Sequence, residues 1–532
     1  MRTSHAMDTL VISCQVDGGE VHVAARLAPN RGAPWSFPQF PRQTTVQRLV
    51  ETAEVLTTAL REAVLAVSRL DPPADLQLAS TCLRGLRQAG SRLTETLLPP
   101  PVAEWLAANG SGHVIFECDP RLNGVPFHLL VVERDFLGFQ CAVGKQLWTP
   151  GAAQRTGRPA RPLPWRTAHV VDPGNLLPEA AVSEFAFPEV GNEPNPPVFR
   201  VGAMLRSRPV TKEQVQTLLR ESDAFNFFGH HRHEPGRPET DGWVLGPEPD
   251  EVFTAGDFLA AFPPGSRPPA LLVAAACDSG TTSMWEEDWP ETRRVHGLAD
   301  AASRAGVDHF VGSMVALPGK RTGRLFAPFY AALIGGRSLG DALRHARRAF
   351  RDNPDDPDDP GTLFGLPFVL YGDPTAGVVC AEGHPVSDQT ARFCEAPVGH
   401  GFCGRLVCES DSGFPGRRCA AHRVQRRCSA GHPLDDTTQV VRCSHHELGG
   451  TPCGNLVCER CSGWSRALCH EHCSHEGRPI LAGTGRLCRD PQRRHPEEKR
   501  SIAPGESGYL QGLCRECLEA ASTAAAPLSK KP

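Results

Sequence analysis

Two short stretches carry the residues best suited to chemistry. "FNFFGHHRH" (225–233) is an apolar run that ends in Gly229 and then His230, His231 and His233. "ALLVAAACDSG" (270–280) is a second apolar run, ending in Cys277, Asp278, Ser279 and Gly280. A cysteine thiol with an ordinary pKa of about 8.5 is mostly neutral at pH 7 and a poor nucleophile. An imidazole with a pKa of about 6.5 can take its proton or stabilise the thiolate. The thiolate can then attack an amide carbonyl, and backbone N–H groups beside both residues can hold the developing oxyanion. Gly229 and the small residues before Cys277 leave room for a peptide backbone. The histidines could instead line a solvated loop or a metal site, and Cys277 could be a packing unit, as most buried cysteines are.

Placing these groups together needs a sheet. Apolar strand-like runs ("HVIFECDP", "HLLVVERD", "RTAHVVDPG", "FNFF", "ALLVAAA", "VDHFVGSMV", "FVLYGDP") alternate with helical stretches such as "TKEQVQTLLRES", "GLADAASRAG", "GRLFAPFYAALIGG" and "SLGDALRHARRAF". That alternation predicts an α/β unit with a mostly parallel sheet and helices on both faces. In such sheets ligands bind beyond the carboxyl ends of the strands, where both His230 and Cys277 fall. Upstream, "DTLVISCQVDGGEVHVAARL" alternates around "DGG" and reads as a hairpin. Val46, Leu49, Val50, Ala53, Leu56, Leu60, Ala63, Val64 and Val67 then repeat at helical spacing. A second helical stretch runs from about Ala74 to Leu98 and ends at "PPP".

The 532 residues allow about three domains, and 40% hydrophobic content is enough for a large core. A formal net charge of −4 gives no electrostatic case for nucleic acid or a membrane surface. The opening residues hold no long apolar segment, and no run of about 18 apolar residues occurs, so a cytoplasmic, reducing location is expected. That expectation bears on the cysteines. Of 20, the last 15 lie from Cys380 to Cys517, beside ten of the 21 histidines, which favours metal ligation over disulfides.

Several segments, in order, resemble the CHAT family, caspase-like peptidases of the clan of caspases and separases. They are "NGVPFHLLVVERDFLG", "VVDPGNLLPEAAVSEF", "FNFFGHHRH", "TDGWVLGPEPDEVFTAGDF", "ALLVAAACDSG", "FAPFYAALIGGRSLGDALRHARRAF" and "FVLYGDP", spanning roughly residues 75 to 375. The resemblance implies a caspase-like fold and endopeptidase activity, with His230 as the catalytic histidine and Cys277 as the nucleophile. It places Gly229, His231 and Asp278 at the oxyanion or substrate pocket. Two features depart from the family. Its usual Gly after the catalytic His is His231 here, whose side chain must point away. Its "lWpv.D" segment is "SMVALPGKR" here, without the Trp or the Asp. His231 and His233 are expected on a loop, and Asp278 in a turn.

Beyond residue 378 a repeat appears. Cys380, His384, Cys394, Cys403, Cys408, Cys419 and His422 recur as Cys428, His432, Cys443, Cys453, Cys458, Cys469 and His472, the offset growing from 48 to 50 residues. A degenerate third copy begins near Cys473, includes Cys488 and closes with Cys514 and Cys517. The pairs Cys419/His422, Cys458/Cys461, Cys469/His472 and Cys514/Cys517 have the separation that chelates one zinc ion on a tight turn. Seven ligands per copy suggest nearly two ions, with His400, and His445 or His446, as candidate eighths. Apolar content is thin, so structural zinc should supply much of the folding energy. Basic residues here are interleaved with acidic ones, so protein recognition is expected rather than nucleic-acid binding.

The expected organisation is an N-terminal hairpin and helix extension (1–74), a caspase-like domain (75–378), tandem zinc-binding repeats (379–520) and a disordered tail (521–532). The expected function is a cysteine endopeptidase acting on protein substrates. Catalysis uses no cofactor, and the zinc modules target the enzyme or bind a protein regulator. The rival expectation is a caspase-like scaffold without turnover, serving as a zinc-dependent adaptor. Substrate, cleavage-site preference, trigger and oligomeric state are not written in these residues.

Overall fold

The runs that end in His230 and Cys277 are strands of one large sheet in the structure, a computed structural model. It describes residues 9–28, 35–36, 44–68, 76–109, 112–148, 165–183, 185, 187, 198–232, 240–263, 265–280, 297–317, 323–353, 356 and 358–380. Beyond these it describes 384, 386, 391–394, 397–398, 401–402, 406–409, 426–427, 433–434, 439–443, 455–459, 486–487 and 501–502. The chain divides into two compact units, residues 1–420 and 421–532.

Twelve strands of the first unit share the sheet. In chain order they are β1 (Thr9–Asp17), β2 (Glu20–Ala28), β3 (Trp35–Ser36), β4 (Thr44–Thr45), β5 (His113–Cys118) and β6 (Ala142–Leu147). They continue as β7 (Trp165–Val171), β8 (Phe199–Arg206), β9 (Ala224–Phe228), β10 (Leu271–Ala275), β11 (His309–Ser313) and β12 (Phe368–Tyr371). Across the sheet the order is β8-β7-β9-β10-β11-β12-β6-β5-β1-β2-β3, with β4 on β2. From β8 to β11 every pairing is parallel; β12 runs antiparallel to β11 and parallel to β6. The β1–β2 hairpin turns at Gly18 and Gly19, whose φ of 54° and 85° are the left-handed pair a two-residue hairpin loop needs. That hairpin is no separate appendage: β1 pairs in parallel with β5 over Thr9–Cys14, so the sheet runs without interruption.

Helices cover both faces, as the alternation implies. The main ones are α1 (Val46–Ser68), α2 (Leu76–Leu97), α3 (Lys212–Glu221), α4 (Leu298–Ala305), α5 (Phe326–Ile334) and α6 (Leu339–Arg348). Every residue of β9 and β10 is buried, yet successive side chains enter different cores. Leu272 and Ala274 join Leu56 and Leu60 of α1, Val215 and Leu219 of α3, and Leu298 of α4. Leu271, Val273 and Ala275 join Phe329, Tyr330 and Leu333 of α5 and Leu339 and Leu343 of α6. Asn226, the one polar residue of β9, accepts a hydrogen bond from the Tyr330 hydroxyl, which satisfies its buried amide oxygen. The apolar stripe of α1 behaves as its spacing predicts: Leu49, Ala53, Leu56, Leu60 and Val64 are fully buried while Val55 is 61% exposed. The start of α3 is set by Thr211 and Gln214, which form a reciprocal capping box. None of the described helices is long and apolar enough to cross a membrane.

Candidate active site

The strands β9 and β10 are parallel neighbours in register, with Phe228 opposite Ala275. His230 follows the end of the first by two residues and Cys277 follows the end of the second by two. Both therefore emerge at one edge of the sheet. On the other flank of β9, Phe228 also pairs with Val171, so the segment after β7 opens at the same edge.

That segment is the "DPG" turn. Asp172 is 1% exposed and sits in the left-handed region at φ 51°, a conformation Asp tolerates better than most residues. One of its carboxylate oxygens accepts the N–H groups of Leu176 and Leu177, both at 2.8 Å, and the other accepts the Ser207 hydroxyl at 3.0 Å. Its own N–H donates to the Phe228 carbonyl at 2.7 Å. The loop so held presents the Leu176 carbonyl 3.4 Å from Nε2 of His230, which is exposed. Gly229 is buried tightly: a Cβ there would lie 3.0 Å from the Phe227 ring and 3.1 Å from Pro173. The His230 carbonyl accepts the Val244 N–H at 3.0 Å. His231 differs from the loop expected of it. It opens a two-residue strand, His231–Arg232, because Trp243 lies opposite it in a small antiparallel sheet with Gly242–Val244 and Val252–Thr254. His233 lies outside the described residues.

Cys277 is half-buried. Its sulfur accepts the Leu317 N–H at 3.3 Å and lies 3.8 Å from the Leu317 carbonyl. Burial pushes its thiol pKa above the ordinary value, and the neighbouring Asp278 carboxylate pushes the same way; the Leu317 N–H works against both. Asp278 makes the turn expected of it, with φ 51° and its N–H on the Val315 carbonyl at 3.2 Å. Arg61 of α1 lies 3.5 Å from this carboxylate. The turn is then pinned to β11: Ser279 donates its hydroxyl to Ala274 at 2.8 Å and accepts the Ser313 N–H at 3.1 Å, and the Gly280 N–H donates to Ser313 at 2.7 Å.

Sulfur and imidazole thus share an edge, but each is hydrogen-bonded elsewhere, to Leu317 and Leu176. Leu317 belongs to the "SMVALPGKR" segment that departs from the family pattern, so backbone rather than a special side chain supplies the contact. Residue type and spacing alone do not mark Asp172, Leu176, Leu317 or Arg61 as site residues. Only Asp172 leaves a signal in the sequence, in the turn after an apolar strand.

Among the proposed metal ligands, Cys380, His384 and Cys408 come together: one ligand atom from each lies within 4.8 Å of the others. Cys394 is buried in the same unit, and Cys443 and Cys458 are buried in the second. Cys403, Cys419, His422, Cys428, His432, Cys453, Cys461, Cys469, His472, Cys473, Cys488, Cys514 and Cys517 lie outside the described residues, as do His400, His445 and His446.

The family model described as "CHAT domain" matches residues 87–374. Among solved structures, chains of the Saccharomyces cerevisiae separase–securin complex at 2.6 and 3.0 Å resolution are similar at 9% and 10% identity, each with a TM-score of 0.42. The matches cover 68% and 69% of this chain and 30% of those chains, so it spans less than a third of their length. No curated protein matches the chain.

Proposed function

The chain belongs to the CHAT domain family, and we propose that it works as a cysteine endopeptidase with Cys277 as nucleophile and His230 as its base. The observation that carries this reading is the in-register parallel pairing of β9 and β10, which brings an imidazole and a thiol to one edge of the sheet. In this mechanism His230 takes the Sγ proton and the thiolate attacks the scissile carbonyl carbon. Backbone N–H groups around Gly229 and His231 hold the oxyanion, while Asp278, whose own N–H is taken by the Val315 carbonyl, borders the substrate pocket. The imidazolium then protonates the leaving amine, and water attacks the thioester with His230 again as base. No metal takes part in these steps. A raised thiol pKa makes the base indispensable, because little thiolate forms unaided near pH 7.

The substrate is a protein, held so that its main chain crosses the edge between the two groups. Zinc is structural and confined to the Cys/His repeats, which offer a surface to a protein regulator rather than to nucleic acid. A reducing cytoplasm keeps the thiols available. The test is covalent labelling by a peptide-based thiol-reactive probe, coupled to a search for new N-termini in cells expressing wild type or Cys277→Ala. Labelling and new termini that depend on Cys277 support the reading; labelling undiminished in Cys277→Ala sinks it.

A second reading has its own observation. Cys277 and His230 each bond to backbone rather than to one another, which suits a caspase-like scaffold that binds without turnover. An unreactive Cys277 in a chain that still binds partners through the repeats is its expected outcome.

A further inference from the structure

The described ligands of the first Cys/His copy, Cys380, His384, Cys394 and Cys408, lie within the unit that carries Cys277. That unit extends to residue 420. Cys380 and Cys408, 0% and 1% exposed, share one apolar cluster with Val378, Val386, Leu339 and Leu343 of α6, and Ala275 of β10. Ala275 lies two residues before the candidate nucleophile. The Cys380 N–H donates to the His384 carbonyl at 2.8 Å and the Val386 N–H to the Val378 carbonyl at 3.1 Å, which holds these residues side by side. The Cys380 sulfur and His384 Nδ1 are 3.6 Å apart. Two ligands on a tetrahedral zinc, with Zn–S about 2.3 Å and Zn–N about 2.0–2.1 Å, stand about 3.5 Å from each other. The donor set and its spacing fit that ion.

Cys394 does not join this group, although it is described and buried. The reason is the ladder between Ala391–Phe393 and Leu406–Cys408. Ala391 faces Cys408, and Phe393 faces Leu406. Cys394 is therefore three residues along from the position opposite Cys408, about 10 Å at about 3.3 Å per residue. That exceeds what two short thiolate side chains span around one zinc ion. The second copy keeps the same register: Val440 faces Cys458, Arg442 faces Leu456, and Cys443 follows.

We propose that Cys380, His384 and Cys408 bind one zinc ion that is part of the core of the unit carrying Cys277, while Cys394 ligates a different ion. Cys458 and Cys443 are divided between two ions in the same way. This rests on the reading of the Cys/His region as zinc-binding and is independent of whether Cys277 turns over a substrate. A structural zinc takes four ligands.

The experiment uses the full chain, with zinc content measured after exhaustive buffer exchange and amide hydrogen exchange followed in α5 and α6. Cys380→Ser and Cys408→Ser should each lose one zinc ion per chain, and their double variant no more than one. Cys394→Ser should also lose one, and its combination with Cys408→Ser two. Stepwise chelation of wild type, which needs no variant to fold, should speed exchange in α5 and α6 as zinc leaves. Cys394→Ser and Cys408→Ser removing the same single ion would overturn the division. Exchange in α5 and α6 indifferent to complete zinc loss would overturn the placement in the core. A wild-type chain that binds no zinc at all would overturn the underlying zinc reading as well, an outcome distinct from both.

Discussion

Arg61 of α1 lies 3.5 Å from the carboxylate of Asp278, the residue next to Cys277. The helix α1 thereby sets a cation beside the carboxylate that neighbours the candidate nucleophile. Asp278 helps to raise the thiol pKa, and a guanidinium 3.5 Å from that carboxylate carries the opposite charge and should oppose its field. Arg61→Gln should therefore slow iodoacetamide alkylation of Cys277 at fixed pH, by about two- to five-fold for a partly exposed pair. Asp278→Asn keeps the left-handed turn and removes the charge, so it should act in the opposite direction. Alkylation rates measured across pH check both signs, and equal rates in the two variants would refute the electrostatic account.

Asp172 tests the loop that presents the Leu176 carbonyl to His230. Its carboxylate accepts three hydrogen bonds while almost fully buried. Asp172→Ala leaves two N–H groups and a hydroxyl without that acceptor and should cost about 3 kcal/mol, read from denaturant midpoints. Asp172→Asn should recover most of this. Its amide oxygen can accept from Leu176 and Leu177, its amide nitrogen can donate to Ser207, and Asn suits φ > 0. A common loss in both variants would mean that charge, not geometry, holds the loop.

His230→Ala should lower turnover of a cleaved peptide about 10²- to 10⁴-fold, the usual contribution of a positioned base. Because burial raises the Cys277 thiol pKa, residual reactivity in this variant should climb with pH through the alkaline range. A flat pH profile would separate the two groups.

Alkaline stability follows from thiols far from the site. Burial raises Cys118 and Cys141 to about 12 and Cys14 well above its ordinary value. Unfolded thiols ionise above about pH 8.5, while the folded chain holds the protons of Cys118 and Cys141 until about 12 and that of Cys14 well above its ordinary range. The stability they contribute is complete below pH 8.5 and lost on the way to pH 12, at about 1.4 kcal/mol per pH unit for each thiol. Lys145 works in the reverse direction, since burial lowers it to about 8 and its unfolded form keeps a proton up to about 10.4. The thiols outnumber it, so the unfolding free energy should fall with rising pH in this window. Cys141→Ala should flatten the fall in denaturant titrations at several pH values.

Much of the central fold is legible in the sequence because it depends on local apolar pattern. The runs at 224–228 and 271–275 are buried on both faces and read as strands with no partner in sight. What the pattern does not carry is pairing over distance. Thr9–Asp17 reads as half of a hairpin, yet its other edge takes His113–Cys118, about a hundred residues on, and nothing local announces that parallel register. The strand at His231 is equally hidden, since it exists only because Trp243 lies opposite. In the candidate site, residue type points to His230 and Cys277. The groups that hold them, the Leu176 carbonyl and the Leu317 N–H, are backbone atoms that every residue owns. Their positions come from turns, so type alone does not reveal them.

The parallel seam between β1 and β5 has a practical consequence for anyone shortening this chain. A fragment beginning at the first long helix would leave β5 as an open border, with unpaired amide and carbonyl groups along His113–Cys118. Such a border invites strands from other copies. Fragments trimmed before residue 44 should therefore self-associate in light scattering at concentrations where the full chain does not, even if every residue near the thiol is intact.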